Sequence, residues 1–266
     1  MENKELILEF LQTPLSSGKK IFEKFAALPG AISKKGALPL QDFVYIPGTR
    51  EDRVLLVAHA DSCWDAVYLK TNKEYFAQID FENGVFSSKH EKIGIGADDR
   101  AGCAMLWKLK DLGHSILVVN GEEKGRVGAR FLKDENKALF KEINRHAYIL
   151  ELDHLETDHV SYQGVYSTKA FKQYISEQTG FKEKGLPGGC DIDVLCKDVC
   201  GANIGIGYHN CHKPSETLVL AEWENTYNKL VKLLEKPQNQ FKISAGKKLK
   251  RFFKRCVLKL KRILKK

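Results

Sequence analysis

No run of about eighteen consecutive apolar residues occurs in this chain of 266 residues, so no membrane-spanning helix is expected. Residues 1–10 carry charges among their apolar positions and lack the clean apolar core of a secretion signal, which makes the cytoplasm the expected compartment. None of the seven cysteines forms a CxxC pair, and their number is odd. A disulfide framework is therefore not expected, and the cysteines read as small buried hydrophobes. No internal repeat is found. No acidic residue occurs in residues 242–266, which hold twelve of the 43 Lys and Arg. Residues 1–241 then carry 31 basic against 34 acidic side chains, so the formal net charge of +9 belongs to a tail and not to the body. Hydrophobic content of 43% and charged content of 29% are ordinary for a folded domain.

Helical spacing over Leu6, Phe10 and Leu11, and again over Ile21, Phe22, Phe25 and Leu28, predicts two N-terminal helices divided near Pro14. Short continuous apolar runs at 53–58, 115–119, 146–152 and 202–206 predict buried sheet strands, and 42–46 is β-rich. Glu82-Asn83-Gly84 predicts a hairpin turn. Helices are expected at 101–112, ended by Gly113, and at 127–133, 169–179 and 222–234. Strands alternating with helices predict an α/β fold of three layers, a mostly parallel mixed central sheet flanked by helices. The expected organisation is a single domain over 1–239 and a basic tail over 240–266.

The four apolar strands lead directly to groups that bind metals. The first ends in His59-Ala60-Asp61, the second in Asn120-Gly121-Glu122-Glu123, the third in Asp153, and the fourth in Gly207-Tyr208-His209 with His212 beyond. In open α/β sheets the C-terminal strand edge is where ligands bind. Asp98, in Gly96-Ala97-Asp98-Asp99-Arg100-Ala101-Gly102, adds a further carboxylate, although Asp98-Asp99 also reads as a negatively charged helix start. Two imidazoles and three carboxylates without a thiolate pair suit zinc in a catalytic site. Of the adjacent Glu122 and Glu123, one can face a metal while the other takes a proton from water. Asp61 can hold the second ring nitrogen of His59. His209 and His212 both follow the last strand and both can serve as the final ligand.

This ordered set resembles the co-catalytic di-zinc peptidase superfamily, which includes zinc-dependent exopeptidases such as the aminopeptidases and the related amidohydrolases and deacylases. The resemblance rests on HxD, the G-x-D-D-x-x-G turn, paired Glu, a later Asp, and His212-Lys213-Pro214-Ser215-Glu216, all between Arg53 and Thr217. It implies His59, Asp98 and Asp153 on one zinc and Asp98, Glu123 and His212 on the other, with Asp98 bridging. Glu122 would be general base to a zinc-bridged water, and Asp61 the partner of His59. The HxxxE spacing favours His212 as the last ligand, leaving His209 facing substrate and Tyr208 as an oxyanion donor. Gly188-Gly189-Cys190-Asp191 resembles a substrate-pocket turn of relatives, with Cys190 in place of a hydroxyl residue, which makes Asp191 a candidate substrate residue. Only about fourteen residues separate Asp153 from the next expected helix, so the resemblance is to a compact form without a lid domain.

The expected activity is hydrolysis of an amide bond with two zinc ions as cofactors, as an aminopeptidase-like exopeptidase acting on peptides. The alternative substrate is an N-acylated small molecule, cleaved by an N-deacylase. A non-enzymatic alternative is an inactive homologue that acts as a scaffold on anionic surfaces. Cations alternating with Leu249, Phe252, Phe253, Val257, Leu260, Ile263 and Leu264 predict a basic amphipathic helix. Its expected partner is an anionic membrane surface, with packing on the body or on another copy as the alternative. Nucleic acid is disfavoured, because no nucleic-acid-binding fold signature is present.

Overall fold

The computed structural model describes residues 1–65, 70, 73–185 and 189–244. The chain opens with α1 (Asn3–Leu11) and α2 (Lys19–Ala26), then β1 (Ile32–Lys35), β2 (Asp42–Ile46) and β3 (Leu55–His59). A hairpin of β4 (Ile79–Glu82) and β5 (Val85–Ser88) precedes α3 (Ala97–Leu109) and β6 (Ser115–Val119). Next come α4 (Val127–Glu135), α5 (Lys137–Ile143), β7 (Ile149–His154), β8 (His159–Ser161), α6 (Lys169–Thr179) and β9 (Lys182–Glu183). The chain closes with α7 (Ile192–Leu195), β10 (Gly201–Gly205), β11 (Tyr208–His209), β12 (Thr217–Val219) and α8 (Leu220–Leu234).

Eight strands form one mixed sheet in the order β1-β2-β6-β3-β7-β10-β8-β9. Its centre, β6-β3-β7-β10, is parallel. β3 and β6 are buried at every position, as a parallel strand covered on both faces must be, which is why they read as unbroken apolar runs. α1, α3 and α8 pack as one helical layer, and α4, α5 and α7 as another, giving the expected three-layer α/β fold. Trp223 of α8 anchors the first layer: it is fully buried and its indole N–H donates to Ala101 O at 3.0 Å.

Local chemistry sets the element ends. Asn83 and Gly84 both take positive φ (51° and 81°), the geometry of a two-residue hairpin turn matched to strand twist. α3 tightens into a 3-10 turn at Lys110–Leu112 and stops at Gly113, at φ 76°. Thr168 accepts from Phe171 N at 3.1 Å to start α6, and Gly180 ends it at φ 73°.

One strand boundary differs from expectation. The strand predicted at 146–152 begins at Ile149 and runs through Asp153 to His154. His146 belongs to the preceding turn instead, with its ring nitrogens 3.0 Å from Ile143 O and 2.8 Å from Ser115 Oγ. The 79–88 hairpin joins β11 and β12 in a separate four-stranded antiparallel sheet, not the central one. Packing on the body also continues past residue 239. Phe241 lies 6.1 Å from Tyr148 between ring centroids, Ile243 is buried, and Lys242 bridges to Val199. The basic helix expected over 247–266 lies outside the described residues, as does Cys256. No helix among the described residues is long and apolar enough to cross a membrane.

Candidate metal centre

The parallel strands β3, β6 and β7 deliver their groups to one edge of the sheet. His59 is the last residue of β3 and wholly buried. Its Nε2 lies 3.1 Å from Asp98 Oδ1 and 3.5 Å from Asp153 Oδ1, so three potential donors converge. The other ring nitrogen, Nδ1, lies 3.3 Å from Asp61 Oδ1 and 3.1 Å from Asp61 O. Asp98 reaches outward as well: its Oδ2 is 3.1 Å from His212 Nε2, which in turn lies 2.9 Å from Glu123 Oε1. That Glu123 oxygen is buried, with His212 Nε2 as its close neighbour among the described residues.

Backbone conformation places Asp98. Gly96 precedes it at φ 66°, and Asp98 and Asp99 depart from helical dihedrals although α3 continues beyond them. Asp99 turns away from the centre. Its Oδ1 accepts from Gly102 N at 3.0 Å, which caps the helix, and its Oδ2 accepts from His59 N at 3.1 Å. Asp98 is thereby freed of the capping role that sequence left open to it. Glu216 fixes the same turn from the far side, accepting from Gly96 N at 2.6 Å and Asp98 N at 3.1 Å. Asp61 does the same for the paired glutamates, accepting from Glu122 N at 3.1 Å and Glu123 N at 3.2 Å.

The two histidines after β10 separate clearly. His212 joins Asp98 and Glu123, whereas His209 pairs with Glu222 of α8 at 2.8 Å. Tyr208 points its hydroxyl at Asp153, 3.2 Å from the backbone oxygen and 3.3 Å from Oδ1. Asp191 is fully buried with neither carboxylate oxygen partnered among the described residues, beside Glu151, which accepts from Asp191 N at 2.9 Å. Gly188 of the same turn lies outside the described residues. Sequence reasoning passed over Glu151 and set Cys211 aside with the other cysteines as a buried hydrophobe. Glu151 is a carboxylate inside an apolar strand, a signal that was visible in 146–152. Cys211 stands with Asp98 and His212, within 4.8 Å donor to donor, and its signal was adjacency to a ligand candidate.

The electrostatics show a centre short of positive charge. Burial, then neighbouring carboxylates, pushes the Glu122 carboxyl up to about 9 and that of Glu216 to about 8. Burial and the Asp98 charge hold Asp153 well above the usual carboxylate range, and burial raises Glu123. Asp98 behaves oppositely: burial resists its ionisation, but hydrogen bonds from His212 and His59 hold it below that range. Those contacts to Asp98 and Glu123 lift His212 to about 11. His59 is also raised well above an ordinary histidine, against its burial, by Asp153, Asp61 and Asp98. Two imidazoles and three carboxylates that are buried, convergent and mutually charged fit a pair of divalent cations, with Asp98 able to face both. Beside the centre opens a cavity of about 180 Å³ bordered by Glu122, His154, Ser161, Gln163, Asn203 and Tyr208.

No protein-family model and no curated protein matches the chain. Among solved structures the fold is shared with aminopeptidase PepT from Bacillus cereus, at a TM-score of 0.64 and 14% identity over 88% of this chain and 98% of that one. A tripeptidase from Staphylococcus aureus superposes at 0.62 and 13% identity, over 88% and 98% of the two chains. The TET1 peptidase of Pyrococcus horikoshii does so at 0.61 and 15% identity, over 88% and 99%. At these identities the likeness is one of fold alone, a mixed central sheet flanked by helices.

Proposed function

We propose that this protein is a two-zinc hydrolase that removes residues from the amino end of peptides. The observation that carries the reading is Asp98, whose two carboxylate oxygens each lie 3.1 Å from a different imidazole, His59 on one side and His212 on the other. Asp153 completes the first group of donors and Glu123 the second. Bound there, zinc would supply Lewis acidity to polarise a carbonyl and make a water acidic.

The chain's own residues do the rest. Glu122 sits in the cavity wall next to Glu123, where its carboxylate can take a proton from the attacking water. Once protonated, the same carboxyl can hand that proton to the departing amine. Asp61 orients both His59 and the Glu122-Glu123 backbone. The cavity of about 180 Å³ is smaller than the roughly 300–1,000 Å³ pockets that enclose drug-sized ligands, which suits a single terminal residue.

The test combines metal counting with a substrate screen. Purified protein should hold two zinc per chain and hydrolyse peptides with a free amino terminus faster than blocked peptides or N-acyl amino acids. Glu122→Gln should lower turnover about 10²–10⁴-fold without changing metal content. Preference for N-acyl compounds would instead support the deacylase reading. A protein that cannot be loaded with metal would sink both and leave the scaffold.

A further inference from the structure

Cys211 lies at the second group of donors. Its Sγ, a carboxylate oxygen of Asp98 and a ring nitrogen of His212 are all within 4.8 Å of one another. Donors placed 2.0–2.3 Å from one tetrahedral ion are about 3.3–3.8 Å apart, so shifts of about 1 Å or less bring all three to a common ion. In a regular strand neighbouring side chains diverge to opposite faces. Here Asn210 and His212 take positive φ (55° and 62°) on either side of Cys211, and the turn is tied by Asn210 Nδ2 donating to Ser215 O at 3.3 Å. Adjacent residues 211 and 212 therefore face the same centre. Cys211 is also partly exposed, unlike Cys103, Cys196 and Cys200, which are buried as apolar filler is.

We propose that Cys211 supplies a thiolate to the metal ion held by Asp98, Glu123 and His212, making that position a mixed oxygen, nitrogen and sulfur site. The inference rests on the two-metal reading above. On binding, the S–H bond breaks, the proton leaves to solvent, and the sulfur lone pair forms the bond to the ion, with no change of oxidation state. A thiolate donor biases this position toward zinc, cobalt or cadmium over magnesium or manganese. It also exposes the position to oxidants, because a sulfur carried to the sulfenic or sulfinic state is lost as a thiolate.

The experiment is cobalt(II) loading of the full-length apoprotein, with bound cobalt counted by elemental analysis while the absorption spectrum is recorded. Thiolate-to-cobalt charge transfer should appear in the near ultraviolet for the wild type and for Cys63→Ser, and should vanish in Cys211→Ser. Two bound cobalt ions without that band, or a band that survives Cys211→Ser, would overturn the proposal and leave the two-metal reading standing. Failure to bind any cobalt would overturn both. Should Cys211→Ser fail to fold, alkylation of the wild type followed by mass spectrometry decides. Zinc should slow modification of Cys211 by about tenfold or more, because a metal-held sulfur is a poorer nucleophile. Equal rates with and without zinc refute the assignment.

Discussion

Asp61→Asn tests whether one carboxylate holds the Glu122-Glu123 turn in place. Asp61 is 1% exposed, and its two oxygens accept separately from the backbone N–H groups of Glu122 and Glu123, at 3.1 and 3.2 Å. Hydrogen bonds to a charged group are worth about 1.5–3 kcal/mol each and neutral ones about 0.5–1.5. Asparagine keeps the shape, makes one accepted bond neutral, and sets its own NH2 against the other backbone N–H, leaving a buried donor unpaired. The expected loss is about 3 kcal/mol, which for a domain of this size lowers Tm by about 6–12 °C. Zinc affinity should fall about 10–100-fold as well, because Glu123 and His59 lose the partner that orients them. Calorimetric melting of the apo and zinc-loaded forms, with zinc competition against a chelating dye, reads both numbers. The exposed Asp111→Asn serves as control. A Tm within about 1 °C of wild type together with unchanged zinc affinity would refute the positioning argument.

Gly102→Ala should be costly, since an added Cβ would meet Leu152 O at 2.1 Å and Asp99 Oδ1 at 2.2 Å. Stability should drop by at least about 1–3 kcal/mol, seen as a shifted urea midpoint. His146 is buried and held down to about 4 by its burial, below its unfolded value of 6.5. Its contribution is complete above 6.5 and is lost as pH falls through 4, a change of about 3 kcal/mol. Urea titrations across that window should show this slope, and His146→Asn should flatten it. Chelation should lower Tm, since zinc at a thousandfold over its Kd contributes about 4 kcal/mol per site. Zinc addition in weak buffer should release protons from the raised carboxyls and from His59 and His212, so uptake without proton release contradicts the site electrostatics.

The central strands were legible because burial on both faces leaves no room for polar alternation. β3 and β6 are continuous aliphatic runs, and their C-terminal ends announced His59 and Glu122-Glu123. α6 was legible at both ends because Thr168 and Gly180 mark them chemically. β1, β8, β9, β11 and β12 were not, since each spans only two to four residues and takes its conformation from a neighbouring strand. Asp98 over Asp99, and His212 over His209, followed in the sequence from the resemblance and the HxxxE spacing, not from residue type. What divides them is which backbone N–H or side chain lies opposite, namely Gly102 N for Asp99 and Glu222 for His209.

The same criterion orders all the acids of the centre. Asp61, Asp99, Glu151 and Glu216 each accept from two backbone N–H groups, and in each case those groups belong to a segment that carries a site residue. They act as ties that hold the backbone around the centre, although burial still raises the carboxyls of Asp99, Glu151 and Glu216. Among the described residues, Asp98, Glu123 and Asp153 receive no backbone N–H at their carboxylates and face imidazoles and, for Asp153, the Tyr208 hydroxyl. Carboxylates this crowded and buried call for protons or cations beyond the hydrogen bonds that Tyr208 and the imidazoles give them. Residues 1–241 carry nearly balanced charge, so this concentration comes from topology: parallel strands end on one edge, and their loops are tied there. Asp191 is the exception, wholly buried, with neither oxygen partnered among the described residues and Glu151 beside it. Burial and the charges of Glu151 and Glu122 accordingly hold its carboxyl well above the usual range.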